Sequence, residues 1–124
     1  MAIALDHTIV PSHDKEAGAR FFARMFGLKY EGAWGHFAPV QVNDKLSMDF
    51  DNRDQFESHH YAFLVEDSEF DEILGRVQSE GVKYGSGPTT QDDMQINNRH
   101  MGRGFYFRDT DGHSWEVITH TYVK

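Results

Sequence analysis

The chain has 124 residues, 39% of them hydrophobic and 14% aromatic, which suits one compact domain with a core of its own and excludes a disordered segment. It contains no cysteine, so disulfides, thiolate metal sites and cysteine nucleophiles are excluded. A formal charge of −8 disfavours binding to nucleic acid, and no basic block or long apolar run points to a membrane.

The opening residues Met1-Ala2-Ile3-Ala4-Leu5-Asp6 lack the basic and apolar zones of a signal peptide, so a cytoplasmic protein is the default expectation. Residues 3–10 read as a strand closed by Pro11. Ser12 or Asp14 can cap the helix that follows, whose Ala17, Phe21, Phe22, Met25 and Phe26 form an apolar face and which Gly27 ends. Short strands are expected near 28–31, 35–42 and 45–51, and the polar run Asp51-Asn52-Arg53-Asp54 marks a boundary. A strand near 58–65 opens the second half. Ser68 is the expected cap of a helix with Phe70, Ile73, Leu74 and Val77 on one face, ended by Gly81. Strands near 82–84, 103–108 and 113–120 complete the chain, with Asp111-Gly112 as a tight hairpin signal. Residues 85–102, rich in Gly, Thr, Asn and Asp, read as a long functional or mobile loop.

The two halves repeat each other. With His7 laid on His60, Gly27-Leu28-Lys29-Tyr30 matches Gly81-Val82-Lys83-Tyr84. Asp44, Ser47 and Asp49 then meet Asp111, Ser114 and Glu116. Each half thus carries a histidine on its first strand and a carboxylate on its last. The expected architecture is α+β: two βαβββ modules, about 3–51 and about 57–120, forming a curved mixed sheet around a cleft within one domain, 1–124.

Alternation along the strands sorts the side chains. Trp115 and Val117 oppose Ser114 and Glu116; Phe105 and Phe107 oppose Gly104, Tyr106 and Arg108; Met48 and Phe50 oppose Ser47 and Asp49. The bulky apolar set covers the face under the helices. The other face gathers His7, His60, Asp49, Glu116 and Tyr106, and ionisable groups there need partners. A divalent metal is the simplest partner for two imidazoles and one or two carboxylates. A lone strand histidine is more often structural than a ligand, but His7 and His60 stand at equivalent places in a repeat. His59 is expected on the opposite face, His113 beside the turn in solvent, and His13, His36 and His120 at the surface. Asn97, Asn98, His100 and Arg103 are placed to line the cleft mouth, with Arg103 the choice for an anionic substrate group.

Leu5-Asp6-His7, the run from His60 to Val65, and above all the run from Phe105 to Val117, a strand, an Asp-Gly turn and a strand with a glutamate at a fixed place, make this chain resemble the vicinal oxygen chelate superfamily of glyoxalases, bleomycin-resistance proteins and extradiol dioxygenases. The resemblance covers roughly residues 3–122. It implies His7, His60 and Glu116 as metal ligands. Asp49 stands where the glyoxalase I branch carries a fourth, glutamate ligand, and is one methylene shorter. It also implies a homodimer, with each site held within one chain or shared between two.

The activity so implied is that of a divalent-metal enzyme of lyase, isomerase or transferase type. Its ion would be Fe, Mn, Ni, Co or Zn, and its substrate a small molecule that chelates the metal through adjacent oxygens. Tyr106, His100 and Arg103 are the expected catalytic contributors. A metal-free binding protein of the bleomycin-resistance type and an Fe(II) extradiol-type dioxygenase are the alternatives.

Overall fold

The computed structural model describes residues 3–123; Met1 and Ala2, the start of the N-terminal segment read above, lie outside them. The chain divides into two compact units, Met1–Glu57 and Ser58–Lys124. Each is α+β, with one long helix and one mixed sheet. Among the described residues no helix is long and apolar enough to cross a membrane.

Unit 1 runs β1 (His7–Ser12), α1 (Lys15–Phe26), β2 (Phe37–Gln41) and β3 (Ser47–Asn52). Its sheet has the order β1-β3-β2, with β1 parallel and β2 antiparallel to β3. Asp14 caps α1 by accepting the Ala17 N–H at 3.2 Å, and Gly27 ends it in the left-handed region at φ 69°. The helix buries Ala19, Phe22, Ala23 and Met25, and Phe22 packs on Phe50 of β3 with ring centroids 5.9 Å apart.

Unit 2 runs β4 (His60–Leu64), α2 (Asp67–Ser79), β5 (Tyr84–Gly85), β6 (Gly104–Arg108) and β7 (Ser114–Ile118), in the order β4-β7-β6-β5. Here β4 is parallel to β7, while β6 is antiparallel to both β7 and β5. Phe70 of α2 meets Phe105 of β6 edge-on at 5.2 Å. Phe105, Phe107, Trp115 and Val117 are all fully buried on that side. Burying each such side chain contributes about 1.5–3 kcal/mol.

The repeat is visible in the pairing register. His7 lies opposite Ser47 and Ile9 opposite Asp49 in unit 1. His60 lies opposite Ser114 and Ala62 opposite Glu116 in unit 2. The aligned residues of the two halves therefore occupy the same register positions.

Several local expectations give way to the structure. The expected strand near 28–31 is absent: Gly32 and Gly35, at φ 105° and 62°, divert the chain, leaving only a Trp34–Phe37 bridge before β2. Unit 1 is therefore βαββ. Pro11 does not close β1, which continues to Ser12; β1 is an edge strand, where a missing N–H is tolerated. Ser68 lies inside α2, and the cap is Glu66, whose N–H donates to Glu69 Oε1 at 2.9 Å. The β6–β7 connection spans residues 109–113, with Asp109 Oδ1 accepting the N–H groups of Asp111 and His113 at 3.0 and 2.9 Å. The segment 86–103 is not featureless. It holds a 3₁₀ turn at Arg99–Met101 and isolated bridges Gly87–Thr90 and Asn97–Gly104.

Candidate metal centre

Unit 2 brings three of the expected site residues together. Ala62 on β4 and Tyr106 on β6 both lie opposite Glu116 on the central strand β7, so Glu116 is flanked on both sides. His60 reaches it from one residue pair along β4: its Nε2 lies 2.8 Å from Glu116 Oε1. The Tyr106 ring stands edge-on to the His60 imidazole, centroids 5.8 Å apart and planes at 83°. The Tyr106 side chain is buried, and burial pushes its pKa up from 10.0, with the neighbouring Glu116 carboxylate adding to the rise. The hydroxyl therefore stays protonated through neutral pH.

Unit 1 holds the other two expected ligands. His7 Nδ1 lies 2.8 Å from Asp6 Oδ2, and this contact raises the His7 pKa above 6.5, with the charge of Asp49 adding to it. A carboxylate on Nδ1 fixes the ring with Nε2 outward, the arrangement that prepares an imidazole to bind metal. Asp49 Oδ1 accepts the Ser47 hydroxyl at 2.6 Å. Among the described residues of one chain, no group of three or more His, Asp or Glu side chains is gathered.

The donor set fits a divalent ion. In unit 2, Nε2 and a carboxylate oxygen point at each other across one hydrogen, and a cation replaces that hydrogen with no change of side-chain type. Unit 2 thus supplies one imidazole nitrogen and one carboxylate oxygen, two of the donor types expected from the sequence.

Two other expectations need correction. Arg103 does not face this site. It follows the alternation of Phe105 and Phe107, crosses the Phe70 ring at 4.3 Å, and is held by Asp67 and Asp71 of α2 at 2.9 and 2.8 Å. Hydrogen bonds from Nε, Nη1 and Nη2 to Asp67 and Asp71 commit the guanidinium to α2. His113 is not solvated: it is fully buried, and its Nδ1 accepts the His59 N–H at 2.8 Å. His100 stands in the left-handed region at φ 56° with its ring on Tyr122, 5.3 Å between centroids. His59 pairs with the Tyr61 hydroxyl at 2.7 Å.

The residue that sequence reasoning missed is Arg99. Its guanidinium interacts with the Tyr106 hydroxyl and passes over Gly87, where a Cβ would sit 3.3 Å from Nη2. Alternation along β6 does not extend back to Arg99, because the positive-φ residues His100 and Met101 turn the chain between them. Asn97 braces the same segment, its Nδ2 donating to the Ser86 carbonyl at 3.0 Å.

Comparison with known proteins identifies the family of the chain. Two solved structures, "Oxidase ChaP-H1" and "Oxidase ChaP-H2", are 43% and 41% identical, with TM-scores of 0.92 and 0.91. The first match covers 99% of this chain and 100% of the other, and the second 98% and 97%. A glutathione transferase FosA from Serratia marcescens is 25% identical over 94% of this chain and 81% of its own length. The family model that describes the "Glyoxalase/Bleomycin resistance protein/Dioxygenase superfamily" matches residues 4–117, and the chain belongs to that superfamily.

Proposed function

We propose that this chain is a metal-dependent enzyme of oxidase type, acting on a small molecule that presents adjacent oxygens to a divalent ion held by His60, Glu116 and His7. The observation that carries this reading is the approach of His60 Nε2 to Glu116 Oε1 at 2.8 Å beside the Tyr106 hydroxyl. The oxidases at 41% and 43% identity support an oxidative reaction over the isomerase or lyase alternatives.

The bound ion supplies a Lewis acid and, where it is iron, a redox centre. The protein supplies the rest. Asp6 orients His7. Tyr106 keeps its proton available for hydrogen bonding to a substrate oxygen. Arg99 places positive charge beside that hydroxyl, where an anionic substrate group is stabilised.

The transferase relative favours a second reading, addition of a thiol without oxidation. Oxygen consumption separates the two: an oxidase takes up O₂ in the presence of Fe²⁺ and an aromatic diol, whereas a transferase does not. The metal claim itself is tested by titrating untagged protein with Fe²⁺, Mn²⁺, Co²⁺, Ni²⁺ and Zn²⁺. Stoichiometric binding that disappears in His60→Ala and Glu116→Gln is expected. Failure of all five ions to bind ends the proposal.

Mixing His7→Ala chains with Glu116→Ala chains tests where the third ligand comes from. Recovery of one metal site per hybrid dimer identifies a site shared between two chains. No recovery identifies a site completed within one.

A further inference from the structure

Unit 2 contains a cavity of about 380 Å³ lined by Lys83, Thr89, Gln91, Asp92 and Arg108. Neither Tyr106 nor any of the metal-ligand candidates is in this lining. Strand pairing brings the two cations to it. Lys83 directly precedes β5 and Arg108 ends β6, and their neighbours Tyr84 and Phe107 are register partners. The Tyr84 ring packs edge-on against Phe105, and Phe107 is fully buried. Alternation therefore sends Lys83 and Arg108 to the other face, where both are exposed.

Like charges side by side on neighbouring strands repel each other. The chain is rich in anions that could relieve this, with 20 Asp and Glu residues against 12 Lys and Arg. Yet among the described residues neither Lys83 nor Arg108 has a hydrogen-bond or ion-pair partner, and Asp92, in the same lining, pairs with neither.

The same lining holds an unused acceptor. Gln91 is buried, and its Nε2 donates to the Pro88 carbonyl at 3.1 Å and to the Ser114 hydroxyl at 2.9 Å. Its Oε1 is buried without a hydrogen-bond partner, a state that costs stability until a donor reaches it. The cavity thus offers two uncompensated cations together with two acceptors, the Asp92 carboxylate and the Gln91 carbonyl. A simple anion answers the cations and leaves both acceptors facing negative charge. A molecule with two carboxylates and one ammonium answers all four groups and brings the site to neutrality.

We infer that this cavity binds an acidic α-amino acid, its carboxylates on Arg108 and Lys83 and its ammonium on Asp92 and Gln91 Oε1. The guanidinium fork of Arg108 matches a carboxylate. The volume lies at the small end of ligand cavities, as suits a molecule of this size. The inference is independent of the metal-enzyme reading.

The test is calorimetric titration of the full, untagged chain with L-glutamate at about 0.15 M salt, where the screening length is about 8 Å. Glutarate, which lacks the ammonium, and inorganic phosphate are the comparison probes. The variants are Lys83→Gln, Arg108→Gln and Asp92→Asn, all at exposed positions, and circular dichroism confirms that they fold. Supporting results are saturable one-to-one binding of L-glutamate with a Kd of about 1 mM or tighter, and weakening of at least about tenfold in Lys83→Gln and in Arg108→Gln. Asp92→Asn is expected to weaken L-glutamate and to leave glutarate unchanged or bound more tightly. No saturable binding of L-glutamate, wild-type affinity in Lys83→Gln or Arg108→Gln, or glutarate or phosphate binding as tightly as L-glutamate overturns the inference. His60→Ala separates this site from the candidate metal centre. Unchanged L-glutamate affinity in that variant supports a site of its own, and lost affinity places the ligand at the metal centre and overturns the inference.

Discussion

The His59 backbone N–H donates to Nδ1 of His113, 54 residues away, at 2.8 Å. This bond ties the residue before His60 to the residue before β7, while the Ser114 N–H returns to the His59 carbonyl at 2.9 Å. The starts of β4 and β7 are thereby locked together, and with them the levels at which His60 and Glu116 leave the sheet. The buried imidazole is an internal anchor for the candidate site, although it does not belong to it.

Replacing that anchor is expected to be costly. His113→Ala leaves a cavity and a buried N–H without its acceptor, and the expected loss is about 2–4 kcal/mol in urea unfolding. His113→Asn retains an acceptor near the Nδ1 position and is expected to recover a good part of it. Equal destabilisation in both variants would show that the ring's volume matters and the hydrogen bond does not.

How much of this was legible in the sequence differs residue by residue. Strand alternation correctly put Trp115, Val117, Phe105 and Phe107 under the helix and Glu116 and Tyr106 on the opposite face. The same alternation also assigns Arg103 to the helix side, where Asp67 and Asp71 hold it; the charge suggested a substrate contact and the periodicity did not. His113 was misjudged because a turn residue is ordinarily solvated. Its burial follows from Asp109, which folds the 109–113 connection back on itself through three bonds, to the N–H groups of Asp111 and His113 and to Trp115 Nε1. Arg99 was hidden because positive-φ residues break the face pattern at His100 and Met101, and no side-chain periodicity reports such a turn. The missing fourth strand of unit 1 has a similar origin in Gly32 and Gly35.

Removing the Tyr106 hydroxyl separates support of the site from support of the fold. The ring is packed in unit 2 and Phe fills the same volume, so Tyr106→Phe is expected to unfold within about 1 kcal/mol of wild type. Glu116 then loses the neighbouring hydroxyl, and Co²⁺ affinity is expected to fall by about 10–100-fold, as for other groups that orient a metal ligand. Calorimetric titration with Co²⁺ reads this directly; unchanged affinity would show that Glu116 needs no help from Tyr106.

Gly85 is expected to tolerate no side chain. A Cβ there would lie 1.7 Å from the Thr90 carbonyl oxygen and 2.5 Å from Gln91 Cα, both backbone atoms that cannot step aside cheaply. Gly85→Ala must therefore displace the 86–95 segment that folds back on β5, at a cost of about 2 kcal/mol or more. Urea midpoints measure the cost, and hydrogen exchange at the Met94 N–H, which donates to the Tyr84 carbonyl at 2.8 Å, reports whether the loop has opened. Wild-type protection at Met94 would show that the strain is absorbed elsewhere.

Asp51 gives unit 1 a defined response to acid. Burial pushes its carboxyl pKa up, but Arg53, at 3.0 Å through both Nε and Nη2, and His36, at 3.4 Å, outweigh burial and hold it below 3.8. A carboxylate whose pKa is depressed on folding contributes stability that is fully present above its unfolded value and is lost as pH falls through the folded one. Wild type is therefore expected to exceed Asp51→Asn by a margin that is present at about pH 5 and is lost as pH falls below about 4. Arg53 is half exposed, so solvent screening limits its share of the margin to about 1 kcal/mol or less. Urea midpoints for the two proteins across this range decide the matter. A margin that grows on acidification would mean that burial, and not Arg53, governs the carboxyl.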